Sequence, residues 1–361
     1  MEKVFLYLFT MRYNVKSRQS YLFFLFVTAF FSQSILMVSC NPTNKPDIGD
    51  IRVDLKAQRF DRDLYEGKPK NIKETDAFLH KKYGSFYDDF AHRMVGNGEY
   101  TTEKIAAMMY NDTAYADLQK EVDSVFKDLS PYNEQLTETF KYIRYYYPKV
   151  KIPRLVYFVS GFAVQTPVGD DYLGIGLDMF MGKDSKFYKA IVTSVPVYLS
   201  RRFAPEYLVP RVTETFAREE LFPAKDEDRT LLSKMVHNGK ILYFMDQVLP
   251  DQTPDSVKIG YTTKQIEWCK HFELDLWGFY LQNNLLYETN YENIQVYLSE
   301  GPFTPGLGER TESAPKLGIW TGWQIVRQYM KENKDVTLQE LMAEKDAQKI
   351  LNLSKYKPKL N

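Results

Sequence analysis

Few residues in this chain stand where their type and spacing could do chemistry, and the first of them is Cys40. It closes an apolar run that begins at Tyr21 and follows the basic residues Arg12, Lys16 and Arg18. Leu36, Met37, Val38 and the small Ser39 precede it, which is the pattern of a bacterial lipobox with Met37 where Leu is usual. In that chemistry the thiol is acylated, the leader over residues 1–39 is cut away, and Cys40 becomes the first residue of the mature chain. The competing reading is a single-pass anchor that keeps its apolar segment, since the run approaches the length of a short spanning helix. The lipoprotein is favoured, because the run gives way at Cys40 to Asn41, Pro42, Thr43, Asn44, Lys45 and Pro46, a flexible tether.

Metal and acid–base chemistry have fewer carriers. The four histidines are His80, His92, His237 and His271, and no two stand four apart, so no helical face presents a zinc-binding pair. His271 lies two residues from Cys269 in a helical pattern, where side chains diverge. With Cys40 acylated, Cys269 has no partner for a disulfide and reads as buried packing. No Gly-x-Ser-x-Gly elbow, P-loop or dinucleotide fingerprint occurs, and Gly174-Ile-Gly176 lacks a third glycine. Asp178 ends a strand-like segment, and Glu214, Glu219 and Glu220 lie along Arg211–Leu221. Paired carboxylates could serve as acid and base. Their spacing from Arg211 and Arg218 suits ion pairs on a solvated helix face better.

The elements that must position these residues are mainly helical. Short extended segments are expected at residues 51–55 and 59–64. Helical stripes follow from Lys73, over Asp117–Leu129 (Leu118, Val122, Val125, Phe126) and on through Leu136, Phe140 and Ile143. Residues 152–160 and 172–180 read as two strands, and Val168-Gly-Asp-Asp171 between them reads as the turn of a hairpin. Further helices are expected near 188–200, 205–221, 226–249, 262–287, 320–332 and 338–344, interrupted by a Pro/Gly-rich loop from Gly301 to Gly318. The fold class is therefore α+β, mainly helical, with a small sheet packed on helices, in one domain over residues 51–361 behind a lipidated tether at 40–50. Charge is balanced, 47 Lys+Arg against 47 Asp+Glu, so no basic field exists to hold nucleic acid. Aromatic residues reach 15%, enough for a large core with adhesive clefts.

Several stretches together resemble the gliding-motility lipoprotein GldB family. They are Leu173–Gly182, Gly239–Tyr243, Ile259–Thr262, Gly301–Thr304, Gly318–Val326 and Ile350–Pro358, in that order behind the lipobox-like Cys40. That family is in turn similar to zinc metallopeptidases with His-Glu-x-x-His on a helix. On that likeness Thr213-Glu-Thr-Phe-Ala217 would be the zinc helix, with Glu214 at the general base and Thr213 and Ala217 at both ligand positions. Neither can bind zinc as imidazole does. The resemblance implies a zincin-like scaffold that has lost its metal, has no cofactor, and binds proteins or peptides in the old cleft. Asp178, Glu214, Trp320 and Trp323 would line that cleft, and an edge strand from the 152–180 pair would accept an extended chain. The expected protein is acyl-anchored, faces the periplasm, and partners the membrane and the envelope proteins of gliding or type IX secretion machinery. The alternative is a hydrolase using its remaining acids.

Overall fold

The computed structural model describes residues 45–66, 72–95, 101–224, 227–308 and 313–359. Cys40 and the apolar run before it lie outside the described residues. None of the described helices is long and apolar enough to cross a membrane.

The folded unit, Pro46–Asn361, is mainly helical around one small sheet. Strands β1 (Ala57–Arg59), β2 (Arg154–Phe158) and β3 (Tyr172–Gly176) lie side by side in chain order, all parallel, with Leu155 opposite Leu173. Leu155, Tyr157, Leu173 and Ile175 enter the main helical core, whereas Val156, Phe158 and Tyr172 enter a second aromatic core with Phe60, Phe86 and Phe90. Parallel strands buried on both faces carry near-continuous apolar runs, as these do.

The hairpin expected between residues 152–160 and 172–180 is not formed between those strands. The turn at Val168–Asp171 is a hairpin turn, but it pairs β3 with the short segment just before it. Val168 bridges Leu173 in antiparallel sense, and the Gly174 and Gly176 amides donate to Pro167 O and Gln165 O at 2.8 Å each. The chain thus crosses from β2, folds back along the outer side of β3, and then enters it. The open edge expected on β3 is occupied by residues 165–168.

The segment expected to be extended at 59–64 is helical instead, Phe60–Glu66, because Phe60 and Leu64 stand one turn apart and are both buried. The expected 117–129 helix starts earlier, at Thr113, where the Asp112 carboxylate caps it by accepting from Ala114 N at 2.7 Å. The 188–200 helix is broken into Lys186–Ala190 and Val197–Ser200, with Pro196 at the break.

The main core is organised by two helices, Leu231–Val248 and Leu317–Glu332. The first is buried nearly all round, so it occupies the interior. The two meet over glycines. A Cβ built on Gly322 would run into the Met235 carbonyl, and one on Gly239 would lie 2.8 Å from the Trp323 amide nitrogen. Their backbones touch because neither glycine carries a side chain. The second helix begins at Leu317, with Lys316 as its N-cap residue.

Candidate functional site

The helix Leu208–Phe216 continues into a wider π turn, Ala217–Leu221, a distortion often found beside functional sites. Its inward face is apolar: Val209, Val212, Phe216 and Ala217 enter the core. Thr213 is buried too, and its hydroxyl donates to Val209 O one turn back, at 2.8 Å. Glu214 lies off that stripe. Its side chain is 17% exposed and its carboxylate is clamped at both oxygens, by Arg211 Nη1 at 2.9 Å and Arg218 Nε at 2.9 Å. The i−3 and i+4 pairing expected from the sequence is present, and Arg211, Glu219 and Glu220 are exposed as expected, while Glu214 itself is largely buried.

Burial alone would raise the Glu214 pKa. Arg218, Arg211 and Lys316 outweigh it and hold the carboxyl far below its ordinary range. A general base works best with a pKa near the working pH. Glu214 is ionised, fully engaged and a poor base. Thr213 has its hydroxyl committed within the helix, and Ala217 offers no donor atom. These three residues do not fit a zinc ion. Among the described residues no group of three or more His, Cys, Asp or Glu stands close enough together to hold a metal.

Glu214 faces a cleft in two adjoining compartments of about 60 and 240 Å³, whose shared wall is Arg211, Glu214, Lys258 and Ile259. Across the larger compartment is the start of the Leu317–Glu332 helix. Lys316 caps that helix in the left-handed region, φ 44°, a conformation costly for a side chain with a Cβ. It is held there from behind, since Tyr261 Oη donates to Pro315 O and Thr304 Oγ1 to Ala314 O at 2.8 Å. Lys316 Nζ bonds Glu300 at 2.6 Å, and Arg202 Nη1 bonds the same carboxylate oxygen at 2.9 Å. Burial lowers the Lys316 pKa, and Glu300 only partly restores it. The site is therefore built from two matched triads, each a carboxylate between two cations.

The remaining residues singled out from the sequence are elsewhere. Asp178 is fully buried at the end of β3 and does not line the cleft. Its carboxylate accepts the Phe162 amide at 2.7 Å and the Ser160 amide at 3.2 Å, tying down a loop in which Gly161 and Phe162 both have φ near 70° (70° and 69°). Its Oδ1 is buried without a partner, and burial pushes its pKa up to about 6 against those amide bonds. Trp320 and Trp323 are core residues rather than a cleft wall, 2% and 0% exposed. The Trp323 indole donates to Asp246 Oδ2 at 3.0 Å and stacks on Arg327. His80 bonds Thr102, His92 bonds Asp88 O, His271 packs on Phe272, and Cys269 is buried. His237 lines a separate cavity of about 290 Å³, where burial and then Arg218, Lys240 and Lys234 lower its pKa to about 4.

Arg202, Lys258, Glu300 and Lys316 carry no motif and were not identified from the sequence. The one available signal was Lys316 itself, a charge between Pro315 and the apolar start of a helix. No curated protein and no solved structure matches the chain. The sequence does match the gliding motility protein GldB family across residues 41–358. The chain belongs to the gliding motility protein GldB family, a family of gliding-related lipoproteins of the cell envelope.

Proposed function

We propose that this protein is an acyl-anchored, non-catalytic binding protein of the envelope, attached through Cys40 and supporting gliding-motility or type IX secretion machinery. The observation that supports a binding rather than a hydrolytic role is the state of Glu214. A carboxylate held by Arg211 and Arg218 at 2.9 Å each is kept strongly ionised, and neither Thr213 nor Ala217 beside it supplies an imidazole-like metal ligand. A general base left in that condition would stay ionised through the whole physiological range.

Binding through strand addition has no support at β3, because residues 165–168 already pair with it. The cleft between the Leu208 helix and the Lys316 helix start is the better-formed surface. Its walls are set by packed helices rather than by loops alone, which suits a preorganised site.

Metal analysis and peptidase assays on the purified full-length lipoprotein test the reading. The expected result is substoichiometric zinc and no hydrolysis of unfolded protein substrates. Stoichiometric zinc together with hydrolysis lost in Glu214→Gln would overturn it. The anchor is checked separately by fractionation: Cys40→Ala should free the protein from membranes or leave its leader uncut, whereas a retained spanning segment would leave the distribution unchanged.

A further inference from the structure

The cleft has a charge imbalance that the rest of the chain does not neutralise. Glu214 sits between Arg211 and Arg218, and Glu300 sits between Arg202 and Lys316, so four cations face two carboxylates. Lys258, the fifth cation of the lining, is taken by Asp246 at 2.7 Å. Glu206, Glu219 and Glu220 are exposed and do not line the cleft. The lining thus carries an excess of two positive charges, partly solvated at Arg211 and Arg218, which a bound anion would offset.

The donors left over point the same way. Arg218 makes its one ion pair through Nε, and no described residue accepts from its Nη atoms. Arg202 Nε is buried without a partner, closed off from the cleft, so Arg202 contributes charge rather than a free donor. Opposite them, the sixteen-residue Leu317–Glu332 helix starts beside the larger compartment, directing its positive end there. The Lys316 backbone is held in a left-handed conformation that places its ammonium in the lining, so the strain falls at the charged residue.

We propose that this cleft is a binding site for a compact, doubly charged oxyanion, a phosphoryl group by its charge and size. The proposal rests on the binding reading given above and names the chemistry of the ligand. Arg218 would donate to it, Lys316 and the helix start would complete its field, Arg202 would act at a distance as a charge held through Glu300, and Glu214 and Glu300 would hold the four cations in register. Arg211, whose side chain is 45% exposed, stands at the mouth. A phosphoryl group could arrive as the free anion or on a monoester, and both present at least three terminal oxygens and close to a double charge near neutral pH.

The test is calorimetric titration of the full-length, detergent-solubilised lipoprotein with inorganic phosphate and with glycerol 3-phosphate, at constant ionic strength, with acetate as the monoanion control. Saturable binding of a phosphate probe, and none of acetate, is expected. Arg218→Gln should weaken it about tenfold or more, as the loss of a charge-assisted bond requires. Glu300→Gln, which removes a negative charge and keeps the shape, should tighten it several-fold. Opposite signs from the two changes cannot arise from misfolding. Tighter binding of glycerol 3-phosphate assigns the site to an ester, and tighter binding of phosphate assigns it to the free anion. No saturation by either probe up to about 10 mM, equal binding of acetate, or weakening in Glu300→Gln would overturn the proposal. Zinc-dependent hydrolysis would instead overturn the scaffold reading while leaving the anion titration unchanged.

Discussion

Replacing Gly322 by alanine tests whether the crossing of the two central helices is set by backbone contact. Two effects of opposite sign meet there. In a helix interior alanine is favoured over glycine by about 0.5–1 kcal/mol through backbone entropy. Against that, the new Cβ would overlap the Met235 carbonyl and lie 3.0 Å from Met235 Cα. Carbon atoms need about 3.5–4.0 Å, so the helices must separate by on the order of 1 Å, and no flexible side chain is available to yield. Overpacking of this kind costs about 1–3 kcal/mol, and a backbone obstacle places it at the upper end. The net expectation is a loss of about 2 kcal/mol, a fall in Tm of roughly 4–8 °C or somewhat less in a domain this large. Gly278 supplies the control, since it is helical and a Cβ there would meet nothing within 4 Å. Gly278→Ala should raise stability by about 0.5–1 kcal/mol. Paired urea and thermal unfolding would decide the matter. If Gly322→Ala stabilises the protein as much as Gly278→Ala does, the close-contact argument is wrong.

Two further expectations concern buried charge. The Asp178 carboxyl, pushed up to about 6 by burial, takes up a proton more readily in the folded protein than in the unfolded chain. Its stabilising contribution is therefore complete below about pH 4 and is lost as pH rises through 6, a change on the order of 2–3 kcal/mol. His237, lowered to about 4, acts in the opposite sense, losing stability as pH falls from about 6.5, so the measurement must be a difference. Wild type minus Asp178→Asn should fall between pH 4 and 6 in chemical denaturation, and a flat or rising difference would refute the assignment. Asp246 accepts from Arg327 at 2.8 and 2.9 Å, from Lys258 at 2.7 Å and from the Trp323 indole at 3.0 Å. Arg327 keeps its paired bonds to Asp255 at 2.7 and 2.8 Å, so Asp246→Ala should cost about 2 kcal/mol, chiefly through Lys258 and the Trp323 indole, and a change below about 0.5 kcal/mol in urea unfolding would contradict that.

Much of the helical fold was legible because its apolar residues recur with helical spacing, as Leu118, Val122 and Phe126 do. Capping residues such as Thr230 and Thr262 then sharpen the helix boundaries. The sheet was legible in β2 and β3 but not in β1, which falls between the two expected extended segments, nor in its pairing. Val168–Asp171 has the chemistry of a tight turn and makes one, and nothing local says that the partner is residues 165–168 rather than the longer apolar run at 154–158. A two-residue register and a parallel crossover leave the same local signature. The helix 205–221 was legible as an element, and its pairs of Glu214 with Arg211 and Arg218 were legible from spacing. Their burial was not, because it depends on Lys316 and Glu300, which are distant in sequence and approach only when the two glycine-lined helices close. Trp320 and Trp323 illustrate the same limit in reverse. A tryptophan pair beside a glycine reads equally well as cleft wall or core, and only three-dimensional packing puts both indoles inside.

The strip at residues 165–168 has a consequence for how such a protein can exist in bulk. Molecules tethered to one membrane surface meet copies of themselves at high effective concentration, far above that of the same protein free in solution. In that setting an unpaired strand edge is a template onto which the next molecule can add, and a row of tethered sheets could propagate as a filament. Here the chain supplies its own last strand at β3, and at the other side β1 is only three residues long. The β3 side is closed to self-addition, and β1 offers only a three-residue edge. Crowding on a bilayer would then favour encounters with other surfaces of the molecule, the charged cleft among them, over fusion of sheets.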